Sequence, residues 1–264
     1  MKNVKTLQGY KLDSLEGEFG EVKDFYFDDQ HWTIRYLVAD TGNWLPGRLV
    51  LISPHALITM DKEERQIDVN LTRQQIEESP LPATDKPVSR QFEETYFHYH
   101  GWPRYWDGSN VWGMHPATAI LNEPEAQRER EPGEKARDPN LRSTQTVTDY
   151  YIEAEDGAIG HVEDFIIDDE TWAIRYLVVD TKNWWPGKRV LISPRWIERV
   201  SWNESKVFVR LSREAFKQAP EYTAESLLTR DYESRLHGHY SRKGYWVDEP
   251  VVHEPSTPKQ IFKD

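Results

Sequence analysis

Apolar and polar residues alternate along residues 21–28 and again along residues 32–40, with the period of a β-strand. The second stretch carries its apolar side chains on one face and Arg35 on the other. Asp28 and Asp29, in the short loop between the stretches, are common turn formers. The pattern predicts a β-hairpin.

Three further strands are predicted at residues 48–52, 57–61 and 66–70, after a Pro46-Gly47 turn. Residues 72–79 and 89–100 follow with helical spacing, and Thr72 and Ser89 are suited to cap them. Five or six short strands at this spacing are typical of a small β-barrel, with a helical tail behind it.

The whole pattern occurs twice. Residues 24–54 and residues 164–194 align at an offset of 140 without a gap and are identical at 21 of 31 positions. Two copies at this spacing are too few and too far apart for a solenoid, so we interpret them as a tandem duplication. The fold class expected is mainly β, with two tandem small barrels, each followed by a short helical tail.

The repeat also predicts the boundaries of the domains. The first barrel covers residues 1–82 and its helical, aromatic-rich tail residues 83–121. Residues 122–143 are dense in Glu, Arg and Pro and poor in apolar residues, so they are predicted to be a linker. The second barrel covers residues 144–221, and its tail with a C-terminal extension covers residues 222–264.

Composition narrows the class of function. The formal net charge of -12 argues against a nucleic-acid partner, because such proteins are usually basic. Cysteine is absent, which excludes disulfides, thiolate catalysis and cysteine-ligated metals. The sequence has neither a signal-like N-terminus nor a stretch approaching the roughly 20 apolar residues of a membrane span, so a soluble, cytoplasmic protein is expected.

The strand and turn residues resemble those of the PRC-barrel family. The first copy contributes Gly17, Gly20, Val22, Asp24, Phe25, residues 34–38 and residues 50–54, and the second copy contributes their counterparts 140 positions later. The family includes the cytoplasmic barrel of the photosynthetic reaction-centre H subunit and the C-terminal domain of a ribosome-maturation factor. The resemblance implies the fold and a tendency to bind other proteins. Neither function transfers, because the membrane helix of the first and the separate N-terminal domain of the second have no counterpart here.

Charged residues on the predicted hairpins have a structural and a functional interpretation. Arg35 and Arg175 are expected to form cross-strand ion pairs that fix the register; contact with an anion or a partner is the alternative. The carboxylates predicted to pair with them are Asp24, Asp40, Asp164 and Asp180.

Tryptophan supplies the candidates for an interface. Trp44, Trp184 and Trp185 lie in the loops before Pro-Gly, where they either plug one end of a barrel or anchor a partner. Trp102, Trp106 and Trp112 lie in the first tail, where they either cover the barrel or stack on a ligand.

No residue pattern predicts catalysis or a cofactor. The adjacent aspartates at 28–29 and 168–169 lack the spacing of a calcium loop. The pairs His98/His100 and His237/His239 are two residues apart on predicted helices and so do not share a face, which makes metal binding the weaker interpretation. Phosphate-binding, nucleophile-elbow and zinc-helix motifs are absent.

The sequence therefore favours a non-enzymatic scaffold or regulatory protein that binds proteins, with self-association or a membrane or electron-transfer complex among the partners implied. A ribosome-associated or RNA-processing factor is the first alternative. A ligand- or metal-binding enzyme that uses the His- and Trp-rich tail is the second. Whether the Trp loops are exposed distinguishes an interface from a bare scaffold.

Overall fold

A computed structural model describes residues 1–78, 90–102, 141–181, 187–223 and 228–247, with the side chains of residues 90–92 left undescribed. The strands are β1 (Lys2–Asn3), β2 (Lys11–Ser14), β3 (Gly17–Asp28), β4 (Thr33–Asp40), β5 (Leu49–Ile52), β6 (Leu57–Asp61), β7 (Gln66–Val69), β8 (Leu141–Ser143), β9 (Tyr151–Ala154), β10 (Gly157–Ile167), β11 (Ile174–Asp180), β12 (Arg189–Ile192), β13 (Ile197–Ser201) and β14 (Lys206–Val209). The α-helices are α1 (Val4–Leu7), α2 (Arg73–Glu78), α3 (Arg90–His100), α4 (Thr144–Val147), α5 (Arg213–Gln218) and α6 (Arg230–His239). The 3₁₀ turns are Pro54–Ala56, Pro194–Trp196 and Tyr245–Val247.

The two copies fold alike. The first sheet has the order β5-β4-β3-β2-β7-β6 and the second the order β12-β11-β10-β9-β14-β13. Within each sheet only β2–β7 and β9–β14 pair in parallel; the other pairs are antiparallel. The expected mainly β fold with two tandem β units is confirmed. We call the unit around the first sheet module one and its counterpart module two.

The second strand of each central hairpin is buried almost throughout. β4 reads as an alternating strand in the sequence, yet both of its faces are covered, and Arg35 and Tyr36 have no exposed surface. One face packs inside the module, and the other lies against the tail helix, where Tyr36 contacts Tyr96 and Phe97. In the described part of the chain, no helix is both long and apolar enough to cross a membrane.

Each module receives a strand from the other module. β1 pairs antiparallel with β10 of module two, and β8 pairs antiparallel with β3 of module one. A single helical turn, α1 or α4, follows each of these strands. We call residues 2–7 arm one and residues 141–147 arm two. Arm two begins at Leu141, within the last three residues of the segment predicted as a linker, 122–143.

The modules also meet through the turns of their hairpins. Thr33 and Ala173 form an antiparallel bridge, flanked by hydrogen bonds from Ile34 N to Trp172 O (2.9 Å) and from Ile174 N to Trp32 O (2.7 Å). A pseudo-twofold relation between the copies therefore passes through this junction.

Each central hairpin requires a glycine at the start of its first strand. A Cβ atom on Gly160 would stand 1.9 Å from the carbonyl oxygen of Asp180, and one on Gly20 would stand 2.2 Å from that of Asp40. These are contacts with backbone atoms, which cannot turn aside as a side chain can. Close approach of two strands thus explains the second glycine of the Gly-x-x-Gly pattern in both copies, while the first, Gly17 or Gly157, has a positive φ that favours glycine.

Candidate functional site

The buried arginines of the hairpins pair with carboxylates at the hairpin turns. Arg175 donates from Nε (3.1 Å) and Nη2 (2.8 Å) to Oδ2 of Asp168. Arg35 lies 3.3 Å from Oδ2 of Asp28, which also contacts Nδ1 of His31 at 2.7 Å. Burial raises the pKa of Asp28, but the His31 contact and the charge of Arg35 outweigh it and hold this pKa at about 2.

The predicted partners of these arginines have other roles. Asp40 accepts a hydrogen bond from Gly42 N, and Asp180 stands opposite Arg189 in the β11–β12 ladder. The predicted ion pairs of Arg35 with Asp24 and of Arg175 with Asp164 are wrong in their acidic partner. Bulges in β3 and β10 shift the register on either side of Asp24 and Asp164 and turn these side chains toward the arms.

Asp24 and Asp164 hold the exchanged arms. Asp24 accepts hydrogen bonds from the hydroxyls of Ser143 (2.5 Å) and Thr144 (2.7 Å) and from Gln145 N (3.2 Å). Burial raises the pKa of Asp24, and these hydrogen bonds oppose the rise without cancelling it. The carboxylate of Asp24, in module one, therefore caps the N-terminus of α4, which follows β8 in arm two.

The sister carboxylate does the same for arm one. Asp164 accepts hydrogen bonds from Asn3 Nδ2 and Lys5 N, both at 3.1 Å, and Tyr222 donates its hydroxyl to Asn3 Oδ1 at 2.9 Å. The sequence missed this role because both aspartates occur in strands where a local ion pair is the simpler explanation. The signal that was present is the pair of donor-rich segments, residues 3–5 and 143–145, at the same offset of 140.

A buried tyrosine and glutamate join each tail helix to its barrel. Tyr36 donates to Glu93 (3.0 Å) and Tyr176 donates to Glu233 (2.8 Å). In module two, Tyr245 also donates to the same oxygen of Glu233 at 2.9 Å. Because each of these hydroxyls donates to a buried carboxylate of the tail helix, the clusters are suited to fixing the tails on the barrels.

The first tail packs through aromatic rings. His100 stacks on Trp102 with ring centroids 4.3 Å apart, and Tyr96 donates its hydroxyl to Leu51 O at 2.5 Å. Burial lowers the pKa of His100 to about 4. Trp102 is half-buried and packs on the core. Trp106 and Trp112 lie outside the described residues.

Trp44 lies at the end of module one that faces away from the junction. Its ring meets Phe19 edge-on at 6.2 Å, and the guanidinium of Arg73 lies 5.5 Å from the ring centroid. The side chain is half-buried. Leu15 lies at the same end, 59% exposed, and its N–H donates to Leu71 O, two residues before Arg73. Trp184 and Trp185 lie outside the described residues.

The histidine pairs are held apart by their helices. His98 is exposed, whereas His237 is buried and His239 contacts the carbonyl oxygen of Ala215 at 2.8 Å. Within the described ranges, no cluster of three or more His, Cys, Asp or Glu side chains is placed to bind a metal ion.

Comparison with known proteins agrees with this geometry. The family model for the PRC-barrel domain matches residues 151–215, from β9 into α5. A search of curated proteins finds no match to the chain. Module one repeats the strand order of the matched segment. Residues 151–215 therefore form a PRC-barrel domain.

Proposed function

We propose that this chain is a non-enzymatic scaffold that binds a protein partner at the outer end of module one. We define the outer patch as Leu15, Trp44 and Arg73. The single observation that carries the proposal is the half-buried Trp44, held in place by Phe19 and Arg73 beside an exposed leucine.

The outer patch has the composition of an interface anchor. Tryptophan and arginine are enriched at binding hot spots, and an aromatic ring that is already fixed loses little conformational entropy on binding. Arg73 is itself fixed, since its N–H donates to Glu16 at 2.7 Å and its guanidinium to Glu18 O at 2.7 Å. A partner would therefore meet a rigid surface.

The position of the outer patch suits a scaffold. β4 starts at the junction with Thr33 and ends at Asp40, so at ~3.3 Å per residue it carries the loop of Trp44 about 25 Å away from the bridge between the modules. Arm exchange and the junction fix one module against the other. A partner on the outer patch would thus not compete with the contacts that join the modules.

From the family resemblance alone, we propose that the partner is a protein of a membrane or electron-transfer complex and that the chain binds it in the cytoplasm. Self-association through the outer patch is a second arrangement of the same kind. A ribosome-associated role is the alternative, which the acidic charge of -12 disfavours.

The test is site-specific photo-crosslinking in the cells that make the protein. In one variant a benzophenone amino acid replaces Leu15. In the control variant it replaces Ile58, which is 57% exposed on the edge strand β6. We expect discrete adducts from position 15 that are absent from position 58 and are lost when Trp44→Ala is added. Equal labelling from both positions, or adducts that persist without Trp44, would refute the proposal. Adducts with ribosomal proteins would favour the alternative.

A further inference from the structure

Module two carries exposed arginines at three positions where module one has no charge. Arg199 lies on the edge strand β13, Arg210 follows β14, and Arg242 follows the tail helix α6. We call these three residues the arginine stripe. Their counterparts 140 positions earlier are Thr59, Asn70 and Trp102.

The side chains of the arginine stripe form one continuous surface. The β13–β14 register sets Arg199 opposite Phe208, and Arg210 follows Phe208 by two positions, with the buried Val209 between them. Arg242 reaches this surface from the tail, where its Nη2 donates to the carbonyl oxygen of Arg210 at 3.3 Å. All three arginines are exposed, so barrel and tail present them together.

The same backbone carries a different chemistry in module one. A bulge precedes both Thr59 and Arg199, so the two positions are equivalent in their sheets. The hydroxyl of Thr59 donates to the carboxylate of Asp68, and this pair satisfies itself. In module two the guanidinium of Arg199 lies 3.5 Å from the ring centroid of Phe208. This stack holds the guanidinium in place without using its in-plane N–H donors.

The positive charge of the arginine stripe is only partly neutralised. Nη2 of Arg210 lies 3.4 Å from Oε1 of Glu198, but both side chains are exposed, at 66% and 46%, so this contact is weak. In the part of the chain that the structure describes, neither Arg199 nor Arg242 has an ion pair. The stripe is therefore locally positive in a chain whose formal net charge is -12.

The arrangement of the guanidinium groups suits carboxylates on an extended chain. The planar fork of arginine matches a carboxylate through two parallel hydrogen bonds. Arg199 and Arg210 stand diagonally across two antiparallel strands, a relation that separates side chains by roughly 7–8 Å. Alternate side chains of an extended peptide are about 7 Å apart. A segment with acidic residues at alternate positions can therefore meet both arginines.

The charge of the chain favours a short acidic segment over a long polyanion. The Debye length is about 8 Å at physiological salt, so a short segment on the stripe experiences the local positive charge. RNA or an anionic membrane would extend beyond the stripe over the surface of an acidic chain, where it would be repelled.

We propose that the arginine stripe is a docking site for a short, extended acidic segment of a partner protein, whose carboxylates accept hydrogen bonds from the guanidinium groups. The fixed positions of Arg199 and Arg242 reduce the entropy lost on binding. This inference goes beyond the scaffold site proposed on module one. It does not depend on that site, because the outer patch and the stripe share no residue.

Fluorescence anisotropy on the full chain at about 0.15 M salt tests the stripe, with a short labelled peptide that alternates glutamate and threonine. One variant combines Arg199→Thr, Arg210→Asn and Arg242→Gln. Its affinity for the peptide should fall by about tenfold, the sum of three exposed ion pairs. The matched control removes the same charge elsewhere on the surface. It combines Lys23→Gln, Lys62→Gln and Arg235→Thr, and it should bind nearly as the unmodified chain does.

A third variant separates guanidinium recognition from charge alone. Arg199→Lys, Arg210→Lys and Arg242→Lys together keep the charge but lose the planar forks, so binding should weaken by a factor between those of the other two variants. Unchanged affinity in this lysine variant would overturn recognition by guanidinium groups. Circular dichroism checks that each variant is folded.

Four other outcomes would overturn the docking site. The first is no binding of the glutamate peptide by the unmodified chain at millimolar concentration. The second is equal binding of a peptide with glutamine in place of glutamate. The third is an equal loss of affinity in the matched control. The fourth is stripe-dependent binding of phosphatidylserine vesicles or oligouridine that is tighter than that of the peptide. None of these results bears on crosslinking from Leu15, so this proposal and the scaffold site fail separately.

Discussion

Replacing Asp24 by alanine should loosen the exchange of arm two. The substitution leaves the hydroxyls of Ser143 and Thr144 and the N–H of Gln145 without their shared acceptor. At ~1 kcal/mol net for each hydrogen bond, loss of the three bonds costs about 3 kcal/mol. Part of this cost is offset, because the variant no longer buries a carboxylate. We expect the free energy of unfolding to fall by about 2 kcal/mol.

Urea denaturation at pH 7 measures this loss, and hydrogen exchange locates it in residues 141–147. Asp164→Ala is the matched control. It removes the acceptor of only two arm donors, Asn3 and Lys5, and should cost less; the bond from the N–H of the next residue is lost in both variants. A loss below ~0.5 kcal/mol for Asp24→Ala, within the range of an ordinary surface change, would refute the reasoning. So would unchanged protection of residues 141–147.

The pH dependence supplies a second check on the same group. Because burial raises the pKa of Asp24 above 3.8, its contribution to stability is greatest below pH 3.8 and declines as the pH rises through the folded value. Asp24→Asn cannot titrate. The difference in stability between the unmodified chain and Asp24→Asn should therefore shift toward the unmodified chain as the pH falls through this window. A constant difference would contradict the raised pKa.

Three further changes test other parts of the fold. Gly160→Ala should lower the free energy of unfolding, measured by urea denaturation, by about 3 kcal/mol, because the new Cβ meets a backbone oxygen. Gly238→Ala, with open space in α6, should raise it by about 0.5–1 kcal/mol. Equal effects of the two substitutions would contradict the close approach of the strands. Arg35→Leu should lower the free energy of unfolding by about 3 kcal/mol, because it leaves the carboxylate of Asp28 buried without its arginine. In the unmodified chain, the free energy of unfolding should fall as the pH drops from 3.8 toward about 2, and acid titration followed by circular dichroism would show this. Hydrogen exchange in α3 of the unmodified chain should accelerate as the pH falls from 6.5 toward about 4, because burial lowers the pKa of His100. His100→Tyr, which introduces the counterpart found in module two, should reduce this acceleration.

The barrels themselves could be predicted from local pattern. Period-two alternation and the Pro46-Gly47 turn placed β4 and β5 within one residue of their observed bounds, whereas β3 begins at Gly17, four residues before its predicted start. Helices α2 and α3, predicted at 72–79 and 89–100, are observed at Arg73–Glu78 and Arg90–His100. These elements are long enough for periodicity to show, and their partners are near in sequence.

The arms could not be predicted in this way. A strand of two or three residues followed by one helical turn is too short for any period, and its pairing partner lies more than 100 residues away. The ion pairs were misassigned for a related reason. A bulge adds one residue to a strand and turns the following side chains to the other face, and nothing in the alternation of residues 21–28 marks the shift at Asp24.

Arm exchange explains why two such small units share one chain. A barrel of about 70 residues buries a smaller fraction of its surface than a larger domain does, and its stability is correspondingly marginal. Here each barrel obtains a strand and a helical turn from the other, so neither is complete alone.

The two receptor sites are alike in Asp24 and Asp164 but differ in what surrounds each arm. Arm one meets Tyr222 of module two through Asn3. The ion pair beside each arm is of the same kind: Arg142 of arm two lies 3.0 Å from Asp29, and Lys2 of arm one lies 4.0 Å from Asp169. Because the contact with Tyr222 requires Asn3, pairing the unlike modules satisfies a contact that two copies of module two would leave unmet. Duplication followed by divergence of the arms thus favours a fixed pair of unlike modules, and only such a pair can present different surfaces at its two ends.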